Sequence, residues 1–374
     1  MARKLQSDKW LFLATLALVC VSVVMVYSAS AVMALNAYQQ PYHFVTRQVM
    51  WAVVGLAVLS VVMRVDYRIY RNEPLIWAVV GVVALMLVAV LFARPINGSR
   101  RWFGVGGFGI QPSELAKMAA ILFTAYTLDR RMHRIDDLRY SLLPIAIVVS
   151  CLGLLIFIEP DLGTAAALFL IVGVMVLAAG LHYGYVATAG VMATVLVAGA
   201  VLAEPYRWRR IVGFLDPWAD PNGAGYQIIQ SLIAVGSGGW TGRGLMGGMQ
   251  KLFFLPEPHT DFIFAVISEE LGFVGATFVV LCFSVIAWRG LRAATAAPDR
   301  FGALLALGIT TMVVAQAMIN LSVVLGMLPT KGISLPLVSN GGSSLLVNLA
   351  AIGVLMNISQ HAVHDGVSAE PGAA

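Results

Sequence analysis

The sequence predicts an all-α, polytopic integral membrane protein with about ten transmembrane helices. Three observations carry that expectation. Of 374 residues, 59% are hydrophobic and only 11% are charged, whereas a soluble domain carries about 25% charged residues. The apolar residues gather into ten runs, most of them near the length of about 20 residues that crosses a bilayer as a helix. The basic residues sort to one side of those runs. The same figures exclude a soluble enzyme and a disordered chain. They also exclude a nucleic-acid module, because the net charge of +5 is better read as topology-setting charge at a membrane.

The first run, residues 10–35, follows Arg3, Lys4 and Lys9. Ser28-Ala29-Ser30-Ala31 resembles a cleavage site, but the run exceeds a signal h-region and further spans follow, so it reads as a retained helix. Runs at 44–63, 74–92, 110–128, 142–158, 162–181 and 185–202 come next. Only Gly180-Leu181-His182-Tyr183-Gly184 separates the sixth from the seventh. A polar connection of about 58 residues, 204–261, precedes runs at 262–288, 301–325 and 344–358. A structureless loop that long is unusual, and the helical apolar spacing over 226–235 predicts a short interfacial helix within it. Cys20, Cys151 and Cys282 all lie inside apolar runs without metal-ligand spacing, so they read as small core hydrophobes. No domain boundary divides residues 1–374, and 361–374 read as a short disordered tail.

Ten spans place both termini on one side. The loops on that side hold Arg64, Arg68, Arg71, Arg130, Arg131, Arg134, Arg139, Arg289, Arg292 and Arg300, which with Arg3, Lys4 and Lys9 makes 13 basic residues. The short loops opposite hold five: Arg47, Arg94, Arg100, Arg101 and Lys331. The positive-inside rule then makes both termini cytoplasmic. The cytoplasmic loops read as short, basic and featureless, and the elaborated segments lie outside.

Those outer segments hold the candidate site residues. Two glycine strings, from Gly104 and from Gly242, fit G-x-G-x-x-G, but a dinucleotide fold needs a βαβ unit, which a helical membrane protein lacks. Flexible loop backbone is the plain reading; the alternative is that these amides, with Arg101 and Arg243 beside them, approach a phosphate. Asn97-Gly98-Ser99 and the aromatic pair Trp102-Phe103 bring donors and ring faces to the outer interface. Glu114 and Lys117, three apart, can pair on one helix face, as a structural ion pair or as intramembrane functional groups. Glu159 and Asp161 share a very short turn, where Asp161 can cap the next helix.

The densest constellation runs from Lys251 through Glu257 and His259 to Asp261. Asp261 at a helix start reads either as a cap or as a general base for a hydroxyl on a lipid-linked substrate. Lys251, Glu257 and His259 are expected to converge on it. Glu269 and Glu270 in the following span must face protein or water. The prolines and glycines of the 329–344 segment predict a folded-over loop. It brings Lys331, Ser339 and Ser343, with Lys331 facing either anionic head groups or a phosphate in the site.

These residues resemble one family, the SEDS proteins (shape, elongation, division and sporulation), and within it the FtsW type. The matching strings are NGSRRWFGVGGFGIQPSELAK from Asn97, EPDLGT from Glu159, LIAVGSGG from Leu232, KLFFLPEPHTDFIFAVISEELG from Lys251 and GMLPTKGISLPLVSNGGSS from Gly326. Leu-Pro-Thr-Lys331-Gly looks like the division branch, while Asn340 departs from the family's more frequent Tyr. The resemblance implies the SEDS fold and a peptidoglycan glycosyltransferase polymerising lipid II at the outer face of the bacterial cytoplasmic membrane, at the division septum. Asp261 matches the essential acidic position of the His-Thr-Asp-Phe motif and would take the proton of the acceptor 4-hydroxyl. Cations should stabilise the departing pyrophosphate: Arg101, Lys117, Arg243 and Lys331 are the candidates, with a divalent ion, Mg2+ or Mn2+, as a further one. The implied partners are a class B penicillin-binding protein and other division-complex membrane proteins. Two other classes fit parts of the sequence: a lipid flippase or transporter, and a scaffold that needs no Asp261. Within the family, elongation and sporulation polymerases are the alternatives.

Overall fold

The computed structural model describes residues 8–93, 100–105, 108–134 and 137–362. Readings placed on Asn97-Gly98-Ser99, on Gly106-Gly107 and on the tail beyond 362 lie outside the described residues. In chain order the helices are α1 Lys9–Tyr38, α2 His43–Val62, α3 Glu73–Val90, α4 Pro112–Arg131, α5 Leu143–Ile158, α6 Leu162–Ala178, α7 Tyr183–Leu202, α8 Pro205–Leu215, α9 Tyr226–Ser237, α10 Ile263–Thr295, α11 Arg300–Val324 and α12 Gly342–His361. All ten sequence runs coincide with helices. Seven are long and apolar enough to cross a membrane; α4, α6 and α7 occupy the remaining three runs.

Local chemistry sets the helix starts. Asp8 accepts from the amides of Trp10 and Leu11 at the head of α1. Proline occupies the first turn of α3, α4, α5 and α8, where its missing N–H costs nothing. Asp161 caps α6 and Asp299 caps α11 through their carboxylates. The predicted interfacial helix forms as α9. A second helix in the long connection, α8, was not expected: the sequence reading treated 204–225 as loop and turns.

Helix α11 lies at the centre, packed against α10, α4, α6 and α12, while α12 lies along α2, and α1 fits between α2 and α10. Helix α7 packs mainly on α8 and the end of α6. A short antiparallel hairpin, β1 Phe103–Val105 with β2 Phe108–Ile110, pairs Gly104 with Gly109. The first glycine string therefore does form strand, contrary to the expectation of none, but the hairpin leads into no βαβ unit and the dinucleotide reading stays excluded.

The end of the bundle that holds the N-terminus is not featureless. Arg289 pairs with Asp8 at 2.6 Å, Arg71 with Asp129 at 2.7 Å and Arg130 with Glu73 at 2.7 Å. The Tyr67 hydroxyl donates to Asp299, and the Tyr67 amide donates to Asn357 Oδ1 at 2.9 Å. Each basic loop is thereby pinned to a neighbouring helix end by a carboxylate that propensity alone does not reveal.

Candidate active site

The opposite end is built around a break in α10. Gly272 has φ 65° and ψ −161°, a conformation reserved for glycine, and it interrupts the helical ladder. The carbonyls of Glu269 and Glu270 accept instead from the amides of Arg243 and Gly244, both at 3.0 Å, and the amides of Phe273 and Val274 donate to the carbonyls of Gly239 and Trp240. The 238–244 loop is thus sewn onto the break by four backbone hydrogen bonds, which satisfy groups the interrupted ladder leaves without helical partners. Glu269 and Glu270 are fully buried, as expected. Glu269 accepts from the amides of Met249 and Gln250, and Arg243 lies 3.5 Å from it. Glu270 meets Lys251 Nζ at 2.6 Å, and Ser28 of α1 donates to it.

Lys251 therefore does not converge on Asp261. A carboxylate buried in a span must be paired, and Lys251 is the cation that pairs Glu270. Arg243 is likewise committed to the α10 break. Both serve the fold of the outer loop rather than a shared pocket.

Asp261 stands immediately before the α10 start and is held by its backbone. Asn320 of α11 donates one amide group to both the Asp261 carbonyl, at 2.8 Å, and the Ile333 carbonyl, at 2.7 Å. Ser339 donates to the Thr260 carbonyl at 2.6 Å while accepting from the Leu335 amide. The His259 carbonyl accepts from the Asn340 amide. These bonds dock the 257–262 segment against the folded-over loop, whose residues Ile333, Leu335, Leu337 and Val338 are buried. The Asp261 carboxylate lies over Gly332, where an added Cβ would come within 2.8 Å of Oδ2. Glycine at 332 therefore lets the loop pass directly beneath the carboxylate.

The other groups surround this point. Arg101 donates through Nε to the Glu159 carbonyl at 2.8 Å and through Nη2 to the Pro160 carbonyl at 2.6 Å, and Nη1 lies 4.0 Å from Asp161. Asp161 caps α6, spending both oxygens on Thr164. The Lys331 stem lies against Gly163, whose added Cβ would sit 2.8 Å from Lys331 Cε. Arg210 of α8 donates to the Thr330 carbonyl at 3.0 Å. Arg207, one turn earlier, lies over the Phe157 ring.

Electrostatics follow from this geometry. Burial, then the nearby Glu257 carboxylate, pushes Asp261 up to about 7, with Arg210 and Arg101 opposing. Burial, then Asp161, pushes Glu159 up to about 8; neither of its oxygens has a hydrogen-bond partner among the described residues. Burial pushes Lys331 down to about 8, against the pull of Asp161. His259 is buried against Phe44, with ring centroids 4.7 Å apart, and burial lowers its pKa. Glu257 is exposed and approaches the Thr260 hydroxyl at 3.3 Å.

Glu114 and Lys117, buried at the start of α4, pair at 2.9 Å, and Lys117 also donates to Gln316 Oε1 at 2.8 Å. Gln316 reaches the Ser334 carbonyl at 3.5 Å, so this buried pair buttresses the folded-over loop from below. Ser343, also buried, accepts from the Gln111 amide at 3.3 Å. The structure thus gathers Arg101, Glu159, Asp161, Glu257, His259, Asp261, Lys331 and Ser339 around one floor. Glu114, Lys117 and Ser343 lie beneath or beside it.

Arg207, Arg210, Gln316 and Asn320 were missed in the sequence. Their signal was present: three arginines in Arg207-Trp208-Arg209-Arg210, and two amides four apart in an apolar span. Among the described residues no group of three His, Cys, Asp or Glu side chains could hold a metal ion. A divalent ion here would need substrate phosphates to complete its shell, as Mg2+ often does.

Comparison with known proteins bears on the family and the fold. A family model described as a cell cycle protein, spanning FtsW, RodA and SpoVE, matches residues 9–364. The chain is 44% identical to "Stage V sporulation protein E" of Bacillus subtilis, over 96% of this chain and 98% of that one. It is 42% identical to "Probable peptidoglycan glycosyltransferase FtsW" of Geobacter sulfurreducens, over 94% and 95%. Among solved structures it resembles a chain described under "Structural coordination of polymerization and crosslinking by a peptidoglycan synthase complex", with TM-score 0.78 and 32% identity over 95% of this chain and 98% of that one. It also resembles the rod shape determining protein RodA of Thermus thermophilus, with TM-score 0.71 and 27% identity over 97% and 99%.

Proposed function

The chain belongs to the FtsW/RodA/SpoVE family, and from that membership and the Asp261 site we propose that it is a membrane-embedded peptidoglycan glycosyltransferase that polymerises lipid II during cell division. The observation that carries the mechanism is one carboxylate lying over Gly332 on a segment docked by Asn320, with Arg101, Arg210 and Lys331 nearby. Asp261 accepts the proton of the acceptor sugar's 4-hydroxyl. The freed oxygen attacks the donor's anomeric carbon, forming the new C–O bond as the bond to undecaprenyl pyrophosphate breaks, with inversion. Charge then grows on the pyrophosphate, and preorganised cations stabilise it best in a site that excludes water. Lys331, Arg101, Arg207 and Arg210 are the candidates for that role. A divalent ion, when bound, adds positive charge at the same phosphates.

Support for the division role comes from the FtsW relatives and the Leu-Pro-Thr-Lys331-Gly string. The sporulation relative, at similar identity, fits the same chemistry. The likeness to a peptidoglycan synthase complex supports a crosslinking partner, for which we propose a class B penicillin-binding protein, and the basic-residue asymmetry supports cytoplasmic termini.

The test is polymerisation of purified lipid II by the chain with its transpeptidase partner. Asp261→Asn keeps the side-chain volume and removes the base, so polymer should disappear while folding and partner binding persist. Polymer from that variant would overturn the assignment.

A further inference from the structure

At the end of the bundle away from Asp261, a cavity of about 550 Å³ opens between the turn Tyr67–Arg71 and the adjoining ends of α3 and α4. Arg68, Ile69, Arg71, Asn72 and Arg130 line it. Each arginine has a carboxylate: Arg71 with Asp129 at 2.7 Å, Arg130 with Glu73 at 2.7 Å, and Arg68 with Asp299 at 3.9 Å. Asp66 turns back onto the Arg68 amide.

The pairs are neutral in sum but layered. The arginine side chains are 52%, 59% and 57% exposed, whereas Asp129 is 7% and Asp299 26% exposed, with Glu73 at 49%. All three carboxylates are thus less exposed than their arginines, Glu73 by the smallest margin, and the three arginines line the opening. Each guanidinium has five N–H donors, and each of these contacts engages only part of its fork. The forks are also held in place: Arg130 lies 5.0 Å over the Tyr126 ring, and the Tyr126 hydroxyl donates to the same Glu73 oxygen. Held arginines lose little entropy on taking a phosphate in bidentate fashion.

We propose that this cavity binds the phosphodiester headgroup of an anionic phospholipid from the adjacent leaflet. Basic pockets between membrane helices suit such headgroups. Ile69, 56% exposed at the lip, supplies an apolar wall for the start of an acyl chain. A zwitterionic lipid would bring its ammonium against the outer guanidinium layer, with the paired carboxylates behind it. The proposal is independent of the Asp261 chemistry.

The competing account is diffuse attraction by topology-setting charge, which needs no cavity. Asn72→Phe separates the two, because it sets a bulky ring into the wall of the cavity, where it obstructs a headgroup, and leaves every charge in place; the Asn72 side chain makes no capping bond at α3. The full-length chain in detergent is titrated with dioleoylphosphatidylglycerol, dioleoylphosphatidylethanolamine and inorganic phosphate, reading lipid occupancy by native mass spectrometry and the thermal midpoint. Phosphatidylglycerol should bind about tenfold more tightly than phosphatidylethanolamine. That preference should vanish in Asn72→Phe and in the triple variant Arg68→Gln/Arg71→Gln/Arg130→Gln, and persist in Arg292→Gln. If the triple variant fails to fold, Asn72→Phe decides alone. Undiminished phosphatidylglycerol binding by Asn72→Phe overturns the proposal. So does inorganic phosphate binding as tightly as the lipid, which would make this a site for soluble anions.

Discussion

Asp261 and Lys331 titrate close together, near 7 and near 8, and their requirements are opposite. The base must be ionised and the lysine must be protonated. Polymerisation should therefore rise as pH climbs through about 7 and fall as it passes about 8, giving a narrow bell in kcat/KM. Lys331→Arg keeps its charge at any accessible pH, so the alkaline limb should move up while the acid limb stays. An unmoved alkaline limb would remove Lys331 from that role. Asn320 acts one step back, through the backbone it holds. Losing two buried hydrogen bonds of about 1 kcal/mol each should lower kcat about tenfold or more in Asn320→Ala, with KM for lipid II little changed because Asn320 reaches no substrate. Steady-state kinetics on lipid II separates those terms. At this scale the ionisable members of the site were legible, since a charge such as Glu159 or Asp261 stands out in a chain that is 11% charged. Their partners were not. Nothing in the spacing of Asn320 says it meets residues 261 and 333, and nothing in Lys251 says it prefers Glu270, nineteen residues on, to Asp261.

At the scale of elements, hydropathy located ten helices because each must satisfy its own backbone in lipid. It could not locate α8, whose arginines and tryptophan mask a short amphipathic helix, nor the hairpin at Phe103–Ile110, where two three-residue strands give too little pattern. The break in α10 was also invisible, since a lone glycine in an apolar run does not announce a positive φ. That break carries a prediction. In Gly272→Ala the new Cβ would lie 2.2 Å from the Gly242 amide nitrogen, in a backbone conformation that costs about 1–3 kcal/mol even without a clash. The variant should lose its thermal midpoint by several degrees and become cleavable by protease within residues 238–250. A protease-resistant Gly272→Ala chain would show that the loop does not depend on the break.

The whole molecule has two chemically distinct ends. One carries ion pairs between loops and helix ends, the other the carboxylates and cations of the proposed active site. If the basic end is cytoplasmic, Trp218→Cys in the long connection should react with a membrane-impermeant maleimide in intact cells, and Arg292→Cys only after lysis. The reverse labelling would invert the topology and place the chemistry on the wrong side of the membrane for cell-wall growth. The native cysteines lie within helices α1, α5 and α10 and serve as the background control; only Cys282 is buried as expected, whereas Cys20 and Cys151 are exposed on the surface of the bundle. The Asn320 clamp also bears on how the protein is made. The floor beneath Asp261 is assembled from residues near 101, 159, 210, 261 and 332, and Gln48 of α2 donates to the Ser339 carbonyl just ahead of the final helix. A nascent chain that has inserted nine spans therefore holds its base on an undocked segment, with Lys331 and Gly332 not yet folded under it. A chain truncated ahead of α12 should therefore leave the segment bearing Asp261 undocked and make no polymer in the lipid II assay.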